Sequence, residues 1–294
     1  MADRWTSALF YCQAYPHVGQ QVLGRALADW PVTFRDRPQT DDSQIPRVTF
    51  LIGHRGRPRI PHLLATLASI AGQERIAVEC LVVEQADVSE LTGLLPGWVR
   101  HVLTPPPYPG MPYSRSWAFN LGARQARGDI LVFHDNDVCA PTRYAAELAD
   151  IFARGFEAAR LQRFVFYLSE EQTREVFERQ SVPMMGAPQE VVQNCQGHTI
   201  AVRRDVYFSI GGHDEGFLGW GGEDNEMFER LQTRRIHDCS YLPFLHLYHA
   251  PQPGKSAVHP NRDYFERRTS LEPRRRIEEL TRREFGLPAG PNGG

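Results

Sequence analysis

The sequence predicts an α/β protein: a mixed, mostly parallel sheet flanked by helices, in one main domain with N- and C-terminal extensions. Three observations lead there. The apolar runs VTFLIG (Val48–Gly53), VECLVVEQ (Val78–Gln85) and ILVFH (Ile130–His134) are continuous rather than alternating. That pattern belongs to strands buried on both faces. Between the first two lies Ile60–Ala71, with apolar residues at helical spacing (Leu63, Leu64, Leu67, Ile70), so strand, helix and strand form a right-handed crossover. Finally, 294 residues with 41% hydrophobic and 23% charged content suit an ordinary globular chain of one large or two smaller domains.

The elements follow in order. Residues 1–45 mix helical and turn signals and end in the polar stretch RDRPQTDDSQIP, which reads as an extension and linker. The main domain spans 46–255. After its first strand comes the basic turn His54-Arg55-Gly56-Arg57-Pro58, and after the second a Pro-rich loop, Thr104–Pro112. Ser114–Arg127 predicts a helix ended by Gly128-Asp129, and Ile130–His134 runs into Asp135-Asn136-Asp137. Helices are predicted over Thr142–Arg154 and Glu170–Arg179, with strands at Ala158–Leu168 and Thr199–Val202. GFLGWGGEDNEMFERL (Gly216–Leu231) is a glycine-rich loop entering a helix, and CSYLPFLHLYHAP is strand-like. Residues 256–294 form a tail in which Glu272–Phe285 predicts a helix; the Arg-rich stretch Arg267–Arg283 reads as a solvated helix held by i,i+4 pairs, with contact to anionic lipid or a partner chain as the alternative.

Several classes are excluded. A net charge of −2 argues against a nucleic-acid-wrapping protein. No apolar run approaches the roughly 18 residues of a membrane span, and the N-terminus lacks a signal peptide's apolar stretch and cleavage site. The expectation is a cytoplasmic protein, with peripheral attachment to a membrane left open. Five scattered cysteines (Cys12, Cys80, Cys139, Cys195, Cys239) without a C-x-x-C pair predict buried free thiols rather than a zinc knuckle or disulfide framework.

Three groups of residues can carry chemistry. Asp135 and Asp137 lie one residue apart at the carboxyl end of a buried strand, where ligands bind in open α/β sheets. Paired oxygen ligands suit a hard divalent ion able to bridge a diphosphate. Gly219-Trp220-Gly221-Gly222-Glu223-Asp224 offers close backbone approach, a flat indole for a sugar ring, and carboxylates at a helix N-terminus, where the dipole favours the ionised form. Such a carboxylate beside a hydroxyl can act as general base. His246 and His249, three apart, can complete a metal site. Arg55, Arg57 and Arg115 can grip phosphate.

Together these residues resemble the GT-A fold glycosyltransferases, most closely inverting family-two-like enzymes and the β-1,4-galactosyltransferase catalytic domain. The resemblance runs from about Pro46 to Pro251 and is most specific over GHTIAVRRDVYFSIGGHDEGFLGWGGEDNEMFERL; LVVEQ, SRSWAFNLG, FHDND and HLYH fall in family order. It implies a Rossmann-like GT-A sheet and a metal-dependent enzyme using Mn2+ (or Mg2+). By this resemblance His54, Arg55 and Arg57 contact the nucleotide, Glu84 the base or ribose, and Arg115 the diphosphate. Asp135, Asn136 and Asp137 match the D-x-D motif, with Asp137 the direct metal ligand. His249 matches the C-terminal metal histidine, and His246 falls where galactosyltransferases place a methionine ligand. Trp220, Gly221, Gly222 and Glu223 match the acceptor box, and Asp224 the catalytic base. The sequence departs from the pattern at Trp117, where galactosyltransferases carry lysine, and in the turn GHRGRP.

The implied reaction moves a sugar from a nucleotide-sugar donor, a UDP-sugar by preference, to a hydroxyl of a glycan, lipid-linked or small-molecule acceptor, by a single inverting displacement. A retaining GT-A enzyme, a sugar nucleotidyltransferase and a non-catalytic carbohydrate-binding module are the alternatives. The loops Thr104–Pro112 and Ser181–Gln193 are expected to border the acceptor pocket.

Overall fold

The computed structural model describes residues 7–8, 14–39, 47–182, 186–194, 197–250 and 261–288. A short strand β1 (Ser7–Ala8) and helix α1 (Pro16–Asp29) precede β2 (Val48–His54). A 3-10 turn, Arg57–Arg59, leads into α2 (Ile60–Ala71), then β3 (Val78–Gln85) and β4 (Arg100–Thr104). Helix α3 (Arg115–Gln125) starts where the Ser114 hydroxyl accepts from the Trp117 amide, an N-cap bond. It is followed by β5 (Ile130–His134), β6 (Val138–Cys139), α4 (Tyr144–Ala153) and β7 (Ala158–Tyr167). Helix α5 (Glu170–Arg179) opens with a capping box between Ser169 and Gln172. Then come β8 (Glu190–Gln193), β9 (Thr199–Arg203), α6 (Arg204–Ser209), α7 (Glu223–Leu231), β10 (Ile236–His246), α8 (Arg262–Thr269) and α9 (Pro273–Thr281).

The strands form one mixed sheet in the order β1-β8-β7-β9-β5-β2-β3-β4, with β10 along the other edge of β7 and β6 against β10. β5, β2, β3 and β4 are mutually parallel, and β10 is parallel to β7. β9 runs antiparallel to β5 and β7. The continuous apolar runs explain the layering. On one face Phe50, Ile52, Cys80, Val82 and Val132 pack under α2 and α4 with Leu63, Leu67 and Leu148. On the other, Leu51, Leu81, Leu131 and Phe133 pack against Phe119 of α3, Tyr207 of α6 and Phe228 of α7. The residue-by-residue alternation of a strand thus fills two cores from one run.

Two segments read as extensions are packed into the body. Leu23 and Leu27 of α1 are buried with Phe166, Leu245 and Leu247. The tail departs from the sequence expectation of a solvated helix. Arg276 is 1% exposed and donates to Glu226 (3.1 Å) and Glu229 (2.6 Å) of α7. Arg268 and Arg283 both form ion pairs with Asp214, each at 2.9 Å. The i,i+4 pairs Arg262–Glu266 and Arg275–Glu279 do form, but on the outer face. Helices α6, where the sequence reads as a turn, and α8, and strands β1, β4, β6 and β8 were not foreseen.

Cys80 and Cys139 are buried free thiols, and burial raises both pKa values, that of Cys139 to about 12. Cys12, Cys195 and the side chain of Cys239 lie outside the described residues, as do the boundaries at 45/46 and 255/256. No described helix is long and apolar enough to cross a membrane.

Candidate functional site

The site lies at the carboxyl ends of β2 and β5, where the strand order turns from parallel to antiparallel; such ends are where open α/β sheets bind ligands. A cleft of about 920 Å³ opens there, lined by Arg55, Arg59, Tyr113, Arg115, Asp135–Asp137, Tyr167, His198, Trp220, Glu223, Asp224, His246, Tyr248 and His249, among others.

One wall is built by β5, β6 and β10. His134 ends β5, and its Nε2 lies 2.8 Å from the Val138 carbonyl, closing the turn that holds Asp135-Asn136-Asp137. β6 pairs antiparallel with β10 in the register Val138↔His246, and the Leu247 amide donates to the Asp137 carbonyl at 2.8 Å. That register carries Asp137 to the end of β10, beside His246 and His249. Ligand atoms of the three residues lie within 4.8 Å of one another. His246 Nε2 is 3.8 Å from Asp137 Oδ1, and His249 Nε2 is 3.5 Å from Oδ2. His246 stacks on Tyr167 with ring centroids 4.3 Å apart. Its burial, despite nearby Asp137, pulls its pKa down to about 4, so the imidazole is neutral at pH 7 and keeps a lone pair for a metal.

The opposite wall is the turn before α7. Gly219, Gly221 and Gly222 have φ of 74°, 106° and 89°, backbone that side chains with a Cβ adopt only with strain. The turn holds Trp220 half-exposed over the cleft. The Gly221 amide donates to Glu223 Oε2 at 3.0 Å, and Asn261 Nδ2 donates to the carbonyls of Trp220 (3.2 Å) and Gly221 (3.1 Å). Glu223 overturns the expectation that the helix dipole keeps this carboxylate ionised. Burial first, and the neighbouring Asp224 charge second, raise its pKa to about 7, against the pull of Arg115. A half-charge at a helix end is the smaller effect once the carboxyl is desolvated.

Arg115 links the two walls. Its Nη2 is 2.7 Å from Asp135 Oδ1, while Nη1 donates to Asp224 and lies 3.7 Å from Glu223. The guanidinium sits 4.6 Å over the Phe119 ring. Burial opposes ionisation of Asp135, but Arg115 and His198 hold it well below the usual carboxylate range.

The remaining sequence candidates are placed differently. His54 is fully buried, with Nδ1 3.2 Å from Asn136 Nδ2, and desolvation lowers its pKa to about 4. Arg55 lines the cleft and donates to the Met111 carbonyl at 2.9 Å. Arg57 is 80% exposed, 3.6 Å from Glu90, and is not among the residues lining the cleft. Glu84 is also absent from the lining. Its carboxylate accepts from Ser89 (2.7 Å) and the Glu90 amide (2.7 Å), with His101 Nε2 at 2.8 Å. Burial would raise the pKa of Glu84, and these bonds lower it instead.

Of the two loops expected at the acceptor pocket, Ser181–Gln193 contributes Gln189 to the cleft lining; its residues 183–185 lie outside the described set. None of Thr104–Pro112 lines the cleft. Pro107, Tyr108 and Met111 instead line a separate 440 Å³ pocket with Trp117, Leu218 and Phe285.

Two residues that contact the Asp135 and Asp137 carboxylates escaped sequence reasoning. Arg59 Nη1 donates to Asp137 Oδ2 at 2.8 Å. His198 has φ of 75°, contacts Asp135 Oδ2 at 3.3 Å and lies 2.9 Å from the Tyr167 hydroxyl. The register His134↔Thr199 sets His198 opposite Asp135. No local sequence pattern signals either contact.

Comparison with known proteins bears on the class and the fold. Residues 113–210 match the sequence profile of glycosyl transferase family 2, and residues 187–250 that of the N-terminal domain of galactosyltransferase. No curated protein sequence matches the chain. Among solved structures, GalNAc-T7 with UDP, GalNAc and Mn2+ aligns at 15% identity and a TM-score of 0.52, over 83% of this chain and 56% of that one. A mannosyltransferase of Pyrobaculum calidifontis, in complex with GDP-Man and Mn2+, aligns at 14% identity and 0.48, over 93% and 84%. The catalytic domain of Drosophila β1,4-galactosyltransferase 7, in complex with xylobiose, aligns at 14% and 0.45, over 75% and 79%. The fold is GT-A. With two glycosyltransferase profiles matched, the chain is an enzyme of the glycosyltransferase class.

Proposed function

We propose that this chain is a metal-dependent, inverting glycosyltransferase that moves a sugar from a nucleotide-sugar donor, a UDP-sugar by preference, to a hydroxyl acceptor. One observation carries the reading. A donor set of one carboxylate and two imidazoles (Asp137, His246, His249) on one wall faces a carboxylate pair on the other, with Arg115 spanning Asp135 and Asp224.

The donor set fits Mn2+. The Asp137 carboxylate suits that hard ion, neutral imidazole ligates first-row divalent metals, and the low pKa of His246 removes competition from a proton. When bound, that ion neutralises charge on the donor diphosphate and on the departing nucleotide. The protein's own residues do the rest. Arg55 and Arg115 present guanidinium groups in the same cleft, suited to phosphate oxygens. Trp220 offers its indole face to the acceptor sugar.

Of the two adjacent carboxylates, Glu223 is turned into the glycine turn, its side chain 9% exposed, while that of Asp224 is 27% exposed to the cleft. Asp224 is therefore the group placed to take the proton of the attacking hydroxyl. Attack from the face opposite the leaving nucleotide inverts the anomeric carbon.

The test is a thermal-shift panel of UDP, GDP, CDP and dTDP with and without Mn2+. A ligand of the folded state raises the melting temperature, and the expected result is a Mn2+-dependent shift, largest for UDP. No shift with any nucleotide at saturation refutes the reading. A largest shift for another base corrects the donor alone, and proton NMR of the product anomer decides inversion against retention.

A further inference from the structure

The oxygen of Asp137 that faces His249 already has a partner. Arg59 Nη1 donates to Asp137 Oδ2 at 2.8 Å, and the same Oδ2 lies 3.5 Å from His249 Nε2. Both side chains are largely buried, at 13% and 10% exposure, so water screens the pair little. A dication on Asp137 would share this oxygen with a guanidinium and sit beside its charge, and like charges at that range repel strongly.

Arg59 is also ill-suited to its backbone position. It ends the turn leading into α2, whose first turn has no acidic residue, and a helix N-terminus favours anions over cations. Arg59, Arg55 and Arg115 line the same cleft. A diphosphate entering it would offer Arg59 oxygens in the fork geometry that guanidinium prefers.

We propose that Arg59 is a diphosphate-binding residue that also latches the metal site: it occupies Asp137 until a nucleoside diphosphate draws it away. Metal and nucleotide binding are thereby coupled through one side chain. Bound alone, the ion must displace Arg59; bound with the nucleotide, both cations find anionic partners. Reciprocity requires each ligand to strengthen the other by the same factor. This rests on the reading of Asp137, His246 and His249 as metal ligands.

The experiment measures two affinities in the full-length protein and in Arg59→Gln, with Arg59→Lys as the charge-retaining variant. Mn2+ alone is titrated by the loss of its free-ion EPR signal. UDP, GDP, CDP and dTDP are then titrated at saturating Mn2+ by calorimetry. The expected result is opposite movement in Arg59→Gln: Mn2+ alone binds about tenfold more tightly, and the preferred nucleotide about tenfold more weakly, a tenfold change being about 1.4 kcal/mol. Arg59→Lys falls between.

Unchanged or weaker Mn2+ binding in Arg59→Gln overturns the latch, and unchanged nucleotide affinity overturns the diphosphate contact. If neither the parent nor Arg59→Gln binds Mn2+ with any nucleotide, the metal reading itself fails, and the latch with it. Equal circular-dichroism spectra and melting temperatures keep a folding defect from mimicking either result.

Discussion

Arg276→Ala tests how the tail is held. Arg276 is 1% exposed and bonds two carboxylates of α7, the helix that opens with Glu223 and Asp224. Its bond to Glu226 is 3.1 Å and lies wholly in the interior, while its bond to Glu229, 39% exposed, is 2.6 Å. Glu226 keeps Arg230 as a close partner at 2.7–3.0 Å after the substitution, so the buried carboxylate is not stranded without a cation, and Glu229, 39% exposed, is left to water. The loss is then one buried hydrogen bond to a charged group, about 2 kcal/mol, and one partly screened bond, about 1 kcal/mol. A chain of this length gains roughly 0.6 kcal/mol/K of entropy on melting, so about 3 kcal/mol lowers Tm by about 5 °C. Differential scanning calorimetry measures this. The control is Arg275→Ala, one residue away in α9, whose side chain is 70% exposed and reaches Glu279 at 3.5 Å; its expected change is under about 1 °C. Equal, small shifts for the two variants would refute the docked tail and restore the solvated helix.

Three further outcomes follow from the site. Glu223, with its pKa raised from 4.5 to about 7, keeps its proton in the folded state over a range where the unfolded chain has lost it. Stability therefore falls as pH rises from about 4.5 to 7, by about 3 kcal/mol; urea midpoints at pH 5 and pH 8 for Glu223→Gln should lack this component, and an unaltered pH slope would rule it out. Trp220→Ala should raise the acceptor KM about tenfold and leave nucleotide affinity alone, since the half-exposed indole has no part in the metal wall; a donor-side defect in titration would contradict the assignment. Asp137→Asn should abolish the Mn2+-dependent part of the nucleotide thermal shift, and a retained shift would remove Asp137 from the ligand set.

How much was legible depended on whether the information was local. β2, β3 and β5 were readable because burial on both faces leaves one continuous apolar run. α5 was readable because Ser169 and Gln172 cap it within four residues. β4 and β8 were not. β4 is a half-exposed edge strand, and β8 is four residues long and takes its identity from β7 and β1. The tail failed for a different reason. PRRRIEELT has the composition of a solvated helix, and Arg276 is buried only because Glu226 lies 50 residues away on α7. One signal was available: Ile277 and Leu280, three apart, form the small apolar stripe that packs inward.

The same distinction governs the site. Asp135, Asp137, Trp220, Asp224, His246 and His249 sit in recognisable local patterns, and all of them line the cleft. Arg59 is invisible in the sequence because its partner is 78 residues away. Glu84 stands out as an acidic residue ending an apolar strand, and the structure has its oxygens engaged by Ser89, the Glu90 amide and His101.

The charges of the cleft give these placements a common logic. Three arginines, Arg55, Arg59 and Arg115, face four carboxylates, Asp135, Asp137, Glu223 and Asp224. Below about pH 7, where Glu223 keeps its proton, the two sets balance. A balanced cleft in low-dielectric surroundings is stable only while each charge keeps a partner; here Arg115 serves Asp135 and Asp224 while Arg59 serves Asp137. A bare dication upsets that balance, and so does a bare diphosphate. The two together bring nearly compensating charge, and they can exchange partners with the arginines without leaving any group unpaired. On this arithmetic the cleft should admit the metal and the nucleotide as a pair, and the same balance explains why one more ionised carboxylate at Glu223 would be costly.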